Sequence, residues 1–343
     1  MNKPNIFDYA TSELSHDAFI AWLMSWADPQ FEGHALHELS RDVLFKCFIN
    51  TCQLQPDSLK VEVIRQHYHI DVFVKVTTTD NTVWGLIFEN KVYTHQHSDQ
   101  LNRYKATIAE KENLDADNIL GIYYKMWEQS NMNVVNSSGY FHLDRKMMLE
   151  LLDQHIANIQ SDIVLHYYSY LTTMQDTLNA YKIKPTDDWN SDQWVGFYAQ
   201  LKKDMNLEGS DFDYVPNRSG GFWGYWFGSQ SIGNEKAIYL QSEQNRLCFK
   251  LYIQNKGEQQ EAKWQWHTIL LEIANKHGLD VIKPPVMKIG TCFTIGIIKS
   301  NNDCWLVTDS NNIIDYEKTK QLAFKAVEVV KEASMRAMGG SSS

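Results

Sequence analysis

Asp71, Glu89 and Lys91 are the residues whose types and spacing could do chemistry together. Between residues 59 and 91 the apolar positions alternate: Val61 and Val63, then Ile70, Val72, Val74 and Val76, then Val83, Leu86, Ile87 and Phe88. This period of two, rich in β-branched residues, predicts three strands. Thr79, Asp80 and Asn81 break the second from the third, which predicts a hairpin. If that hairpin turns symmetrically about Asp80, Asp71 faces Glu89. Opposed side chains on one face of an antiparallel pair lie roughly 5 Å apart at Cβ, close enough for two carboxylates to share one cation. The strand period also puts Lys91 on the face of Glu89 and turns the Asn90 side chain away. Two acids and an ammonium on one face are the parts that phosphodiester hydrolysis needs. A hard cation held by oxygens polarises the phosphate, and the ammonium neutralises developing charge or orients water.

The residues Ile70 and Asp71, followed by Glu89, Asn90 and Lys91, resemble the signature of the PD-(D/E)XK nuclease superfamily, with Ile70 where the signature has proline. The run Glu13 to Leu23 resembles the first helix of one branch of these nucleases. Gln100 and Tyr104, four apart and so on one helix face, resemble the glutamine and tyrosine motif of its RecB-like members. The resemblance spans Asn5 to Tyr124, extends at most to Tyr181, and implies an α/β fold: a restriction-endonuclease-like core with a mixed central sheet flanked by helices. It implies Mg²⁺, replaceable by Mn²⁺, held by Asp71, Glu89, the Asn90 carbonyl and Glu13. Lys91 would orient or activate water, and Gln100 would position water or backbone. Tyr104, His16 and Arg65 are the candidates for substrate contact. The plain alternatives are a packed or capping His16, a surface Arg65, and a Gln100 and Tyr104 pair that only ties helix to sheet. The implied function is metal-dependent hydrolysis of DNA, in defence against foreign DNA or in repair by family analogy. The alternatives are a non-cleaving nucleic-acid-binding or regulatory protein that keeps the fold, and a partner-binding protein whose C-terminal half does the work.

The surrounding pattern supplies elements to hold these residues. Helical spacing runs from Thr11 to Trp26 and from about His34 to Cys52, a further helix from about Ser98 to Lys111, and a β-rich run from Ile119 to Tyr124. Asp144 to Tyr181 reads as largely helical. The polar stretch Lys184 to Asp188 reads as a linker, giving a nuclease-like domain over 1–185, an α+β domain over 186–338, and a flexible tail over 339–343. In the second domain, strands are expected at Lys236 to Leu240, Arg246 to Ile253, Cys292 to Lys299 and Cys304 to Thr308, and helices at Ala262 to His277 and Tyr316 to Ala337. Substrate recognition or assembly, as a homo-oligomer or with a protein partner, is its expected role. Phe222, Trp223, Tyr225, Trp226 and Phe227, near Arg218, could stack on bases, although alternating aromatics of a strand more commonly fill a core.

Composition bounds the rest. The 343 residues are 43% hydrophobic, enough for two cores. No run is apolar enough for a membrane span and no signal peptide opens the chain, so a soluble cytoplasmic protein is expected. The five scattered cysteines, Cys47, Cys52, Cys248, Cys292 and Cys304, indicate neither a disulfide framework nor a thiolate zinc site. His67, His69, His95 and His97 invite a zinc reading, but no third ligand stands at a motif spacing and the paired carboxylates favour a hard metal. Net charge is −10, of which residues 1–185 carry −8 (15 Lys and Arg against 23 Asp and Glu). That acidic excess argues against a nonspecific polyanion binder and for modest, salt-sensitive affinity for DNA.

Overall fold

The computed structural model describes residues 4–10, 12–52, 59–96, 99–218, 220–233, 235–286, 290–298 and 304–339. The chain divides into two compact units, Met1–Asp176 and Thr177–Ser343. His97, Ser98 and the tail beyond residue 339 lie outside the described residues.

The first unit opens with α1 (Ile6–Tyr9), α2 (Glu13–Ser25) and α3 (Ala35–Cys52). Strands β1 (Leu59–His67), β2 (Ile70–Thr78) and β3 (Val83–Lys91) follow, then α4 (Gln100–Lys111), β4 (Ile119–Lys125), α5 (Asn133–Ser137), β5 (Tyr140–Asp144), α6 (Arg145–His155) and α7 (Asp162–Asn179). The five strands form one sheet in sequence order. β1, β2 and β3 are antiparallel, while β4 and β5 join parallel, which makes the sheet mixed as expected. The pairing of β2 with β3 runs from Val72↔Phe88 to Thr77↔Val83, the register symmetric about Asp80. β5, unread in the sequence because it is only five residues long and opens on aromatics, completes the edge.

Alternation along β2 and β3 gives the sheet two apolar faces. Val72, Val74, Val76, Leu86 and Phe88 pack with Phe19, Leu23, Leu39, Val43 and Tyr167 from α2, α3 and α7. Phe73 and Ile87 pack with Leu101, Tyr104 and Ile108 of α4. Central β3 is thus covered on both sides, and all but its first residue are buried. Gly121 of β4 sits beside Tyr140 of β5, and a Cβ there would lie 2.6 Å from that ring. The missing side chain lets the ring lie flat over the sheet, with its hydroxyl donating to Leu101 O at 3.0 Å.

The second unit contains α8 (Ser191–Met205), β6 (Asp211–Asn217), β7 (Gly220–Ser231), β8 (Lys236–Glu243), β9 (Arg246–Ile253), α9 (Gln259–Lys276), β10 (Val281–Ile282), β11 (Cys292–Ile298) and α10 (Tyr316–Gly339). Its six strands form an antiparallel sheet ordered β10-β11-β9-β8-β7-β6. Tyr225 and Phe227 of β7 are core residues, whereas Trp226, on the other face, lines an open surface groove with Tyr239 and Tyr252. The strand expected at Cys304 to Thr308 does not form. Trp305 is instead held at the β8–β9 turn by bonds to Asn245 O (3.0 Å) and Gln244 O (2.8 Å), and Thr308 makes a single bridge to Ile314. The polar stretch Lys184 to Asp188 lies inside this unit, with Thr186 N–H donating to Asn312 O at 2.9 Å and Asn312 Nδ2 to Asp187 at 2.6 Å. Among the described residues no helix is long and apolar enough to cross a membrane.

Candidate active site

Glu89, Asn90 and Lys91 end the central strand, so their polar groups are buried by neighbours on both faces of the sheet: all three are under 8% exposed. Asp71, one residue beyond the Val72↔Phe88 pair, lies within hydrogen-bonding reach of Glu89, as the register about Asp80 requires. Both acids are pushed above the usual carboxylate range. Burial is the first cause for each, the negative charge of Asp71 adds to it at Glu89, and the Lys91 ammonium opposes it at both.

Lys91 Nζ sits 2.6 Å from Glu89 Oε1 and 3.4 Å from Glu13 Oε2. Burial disfavours its charge, but Glu89, Glu13 and Asp71 outweigh burial and hold the ammonium protonated. Glu13 reaches the site from the first turn of α2, where a carboxylate suits the helix dipole. It accepts from the Val92 N–H at 3.3 Å and the Thr94 hydroxyl at 2.5 Å. Burial would raise its carboxyl, yet the Thr94 bond, the Lys91 charge and the Val92 N–H together bring it below the ordinary value. From the opposite face α4 contributes Gln100, whose Nε2 donates to Glu89 Oε1 at 3.0 Å and to Tyr104 Oη at 2.8 Å. The Tyr104 hydroxyl in turn donates to His69 O at 2.7 Å, tying α4 to the β1–β2 turn.

Two other candidates lie elsewhere. His16 is fully buried, stacked near Phe7 and Tyr170, with neither ring nitrogen hydrogen-bonded. Burial drives its pKa down to about 4, which keeps the ring neutral among its aromatic neighbours and outside the hydrogen-bonded cluster of acids. Arg65 is exposed and pairs with Val72, which puts it on the face of the sheet opposite Asp71. Of the histidines in the zinc reading, His67 is engaged by Glu112 Oε1 at 2.7 Å and stacks on Phe73. Among the described residues no group of three or more His, Cys, Asp or Glu stands ready as a metal cluster.

Two residues of the site escape a reading of sequence. Asp17, one helical turn after Glu13, is buried and accepts from Asn90 Nδ2 at 2.9 Å. Burial first, then the charge of Asp71, raise it to about 7. Its spacing of four from Glu13 was the available signal. Lys125 ends β4 opposite Lys91 in the parallel register. Its buried Nζ donates to Val92 O (2.9 Å) and Thr94 O (2.6 Å), the segment that also binds Glu13, and burial brings its pKa down to about 7.

The residues fit a divalent cation. Glu89 Oε2 is a buried carboxylate oxygen with no hydrogen-bond donor, and it belongs to one of two acids crowded within reach of each other. Such a pair requires a proton or a cation between its members. A family model for the PD-(D/E)XK nuclease superfamily matches residues 4–182, just over half the chain, and so covers every residue of this site. No curated protein and no solved structure matches the chain. The family implies nuclease activity on nucleic acid, typically with a divalent metal. With Asp71, Glu89 and Lys91 gathered at the end of the central strand of a mixed sheet, the chain belongs to the PD-(D/E)XK nuclease superfamily.

Proposed function

We propose that the first unit is a Mg²⁺-dependent deoxyribonuclease, with Asp71 and Glu89 as the principal metal ligands, joined by the Asn90 carbonyl and, in its outer set, Glu13. Mn²⁺ would substitute. The observation that carries this reading is the buried, donorless Glu89 Oε2 beside Asp71. When bound, the cation would polarise the phosphate and lower the pKa of an attacking water. The chain's own groups then have defined tasks. Lys91, held protonated between Glu89 and Glu13, orients water and balances charge developing on the phosphate. Gln100 fixes the rotamer of Glu89 through Oε1, leaving Oε2 for the metal. Asn90 and Asp17 anchor the strand end to α2.

The test is incubation of the purified protein with single-stranded, linear duplex and circular DNA, and with RNA, in Mg²⁺ or EDTA. DNA cleavage is expected in Mg²⁺ only, and Asp71→Ala or Lys91→Ala should lower the rate by at least about a hundredfold. A wild type that cuts nothing, or variants that cut as well as it does, would leave a non-cleaving protein of nuclease fold.

A further inference from the structure

The turn between β1 and β2 carries an unusual pair. His67 pairs with Ile70, so Tyr68 and His69 form a two-residue hairpin loop, and both have positive φ, 52° and 68°. A turn of this kind favours Asn-Gly, because side chains branching from a left-handed backbone are strained. Strained residues persist where the surroundings hold them, and they concentrate at ligand sites. Here the Tyr104 hydroxyl holds the His69 carbonyl at 2.7 Å. The pair borders an open cavity of about 520 Å³, lined by Tyr68, His69, Arg103, Tyr104 and Thr107. That volume lies within the range of small-ligand sites. The cavity touches the active site through its own wall: Tyr104 Oη meets Gln100 Nε2 at 2.8 Å, and that amide meets Glu89 at 3.0 Å. Tyr68 is 41% exposed, with its ring 4.1 Å from that of His67, and Arg103 is exposed on the first turns of α4.

We propose that this cavity is the subsite for an unpaired nucleotide flanking the phosphodiester at the active site, with the base stacked on Tyr68 and the flanking phosphate met by Arg103. The inference rests on the nuclease reading and narrows its substrate class. Inside a duplex both faces of a base are taken by its neighbours, so an aromatic ring can stack only on a base outside the helix. The favoured substrate is therefore a single strand or a frayed end. An aromatic platform also explains affinity in a unit of acidic net charge, since stacking needs no basic surface.

The experiment uses the full chain and the Tyr68→Asn variant. Asparagine tolerates the left-handed conformation, so the hairpin is kept while the ring is lost, and an unchanged melting temperature confirms this. Tyr68→Phe and Arg103→Ala are run beside it. Binding of single-stranded DNA containing 2-aminopurine is followed by fluorescence in EDTA, and kcat/KM on single-stranded and blunt duplex DNA is measured in Mg²⁺. The expected result is quenching with wild type and Tyr68→Phe that Tyr68→Asn abolishes, with about a tenfold loss of kcat/KM on the single strand carried by KM. Arg103→Ala should reduce the salt dependence of binding by about one charge. Equal quenching and equal kcat/KM for wild type and Tyr68→Asn would overturn the subsite even while Asp71→Ala abolishes cutting. Tyr68-dependent quenching by a wild type that cuts nothing would uphold the subsite and overturn the hydrolytic reading instead.

Discussion

In the second unit the buried Tyr198 hydroxyl meets Ser242 Oγ at 2.9 Å and accepts from Gln244 N–H at 3.0 Å, Gln259 gives its amide to Ile253 O, and His267 meets Ile295 O at 2.6 Å. Among its described residues the two buried side-chain atoms without a geometric bond, Ser210 Oγ and Tyr225 Oη, lie within reach of each other. The first unit is different. Among the described residues, Glu89 Oε2 and Asn90 Oδ1 are buried without partners on consecutive residues at one end of the central strand, while both ring nitrogens of His16, one each of His37 and His142, and the Thr172 hydroxyl are unmet atoms scattered through the rest of the unit. Buried groups left unmet cost stability, and a fold that keeps two side by side does so where a ligand can repay them or a mechanism needs them. The second unit spends its polar groups on closing its own structure. The unmet Glu89 oxygen and the family match both fall in the first unit, which is the ground on which the proposed chemistry rests there.

The largest break in that contrast should come from His16 at low pH. Its folded pKa of about 4 lies below the unfolded value of about 6.5, so the folded state resists its protonation. The sign follows: stability is unaffected above pH 6.5, falls as pH drops below it, and levels off near pH 4, by roughly 3 kcal/mol at full extent. In His16→Phe that part of the slope should vanish. Denaturant unfolding at pH 7, 5.5 and 4 reads it, and parallel losses for wild type and variant would show that His16 is not a closed core ring.

Tyr198→Phe tests the other side. Removing one hydroxyl leaves the part-buried Gln244 N–H without its acceptor and takes one bond from Ser242 Oγ, which keeps its bond to Gln244 O at 3.3 Å, at a cost of about 1.5 kcal/mol. Unfolding midpoints should drop accordingly, with DNA cleavage unchanged at temperatures where the chain stays folded. A loss below about 0.5 kcal/mol would mean that this unit's polar network is as loosely met as the first unit's.

Much of the first unit was legible because its elements follow simple periods. The β2–β3 register could be read from Asp80 alone, since the side-chain alternation and the short polar turn leave one pairing that buries Val72, Val74 and Val76 together. Gln100 and Tyr104 could be paired from their spacing. What stayed hidden depended on packing across long separations. Whether His16 points to solvent or into the ring cluster is decided by Tyr167 and Tyr170, about 150 residues away. Lys125 became part of the site only through parallel pairing with Lys91, which no local pattern announces. Cys304 to Thr308 looked like a strand because its residues are apolar, but Trp305 serves as a plug under the β8–β9 turn.

The smallest effect is the one that ties stability to chemistry. Asp71→Asn removes one of two crowded negative charges while keeping shape and a hydrogen-bonding side chain. In the metal-free protein this relieves repulsion, and a gain of about 1 kcal/mol is expected at pH 8, seen as a rise of about 2 to 4 °C in melting temperature. The gain should shrink toward pH 5, because Glu89, raised to about 7 by burial and the charge of Asp71, takes up a proton there in the wild type and relieves the same repulsion without mutation. Mg²⁺ should raise the melting temperature of the wild type at pH 8 and not that of the variant, since only the wild type offers both carboxylates. Differential scanning in EDTA and in Mg²⁺ measures both arms. A destabilised Asp71→Asn would show that the acids are held by structural partners like those of the second unit, and the distinction between the two units would then lose its functional meaning.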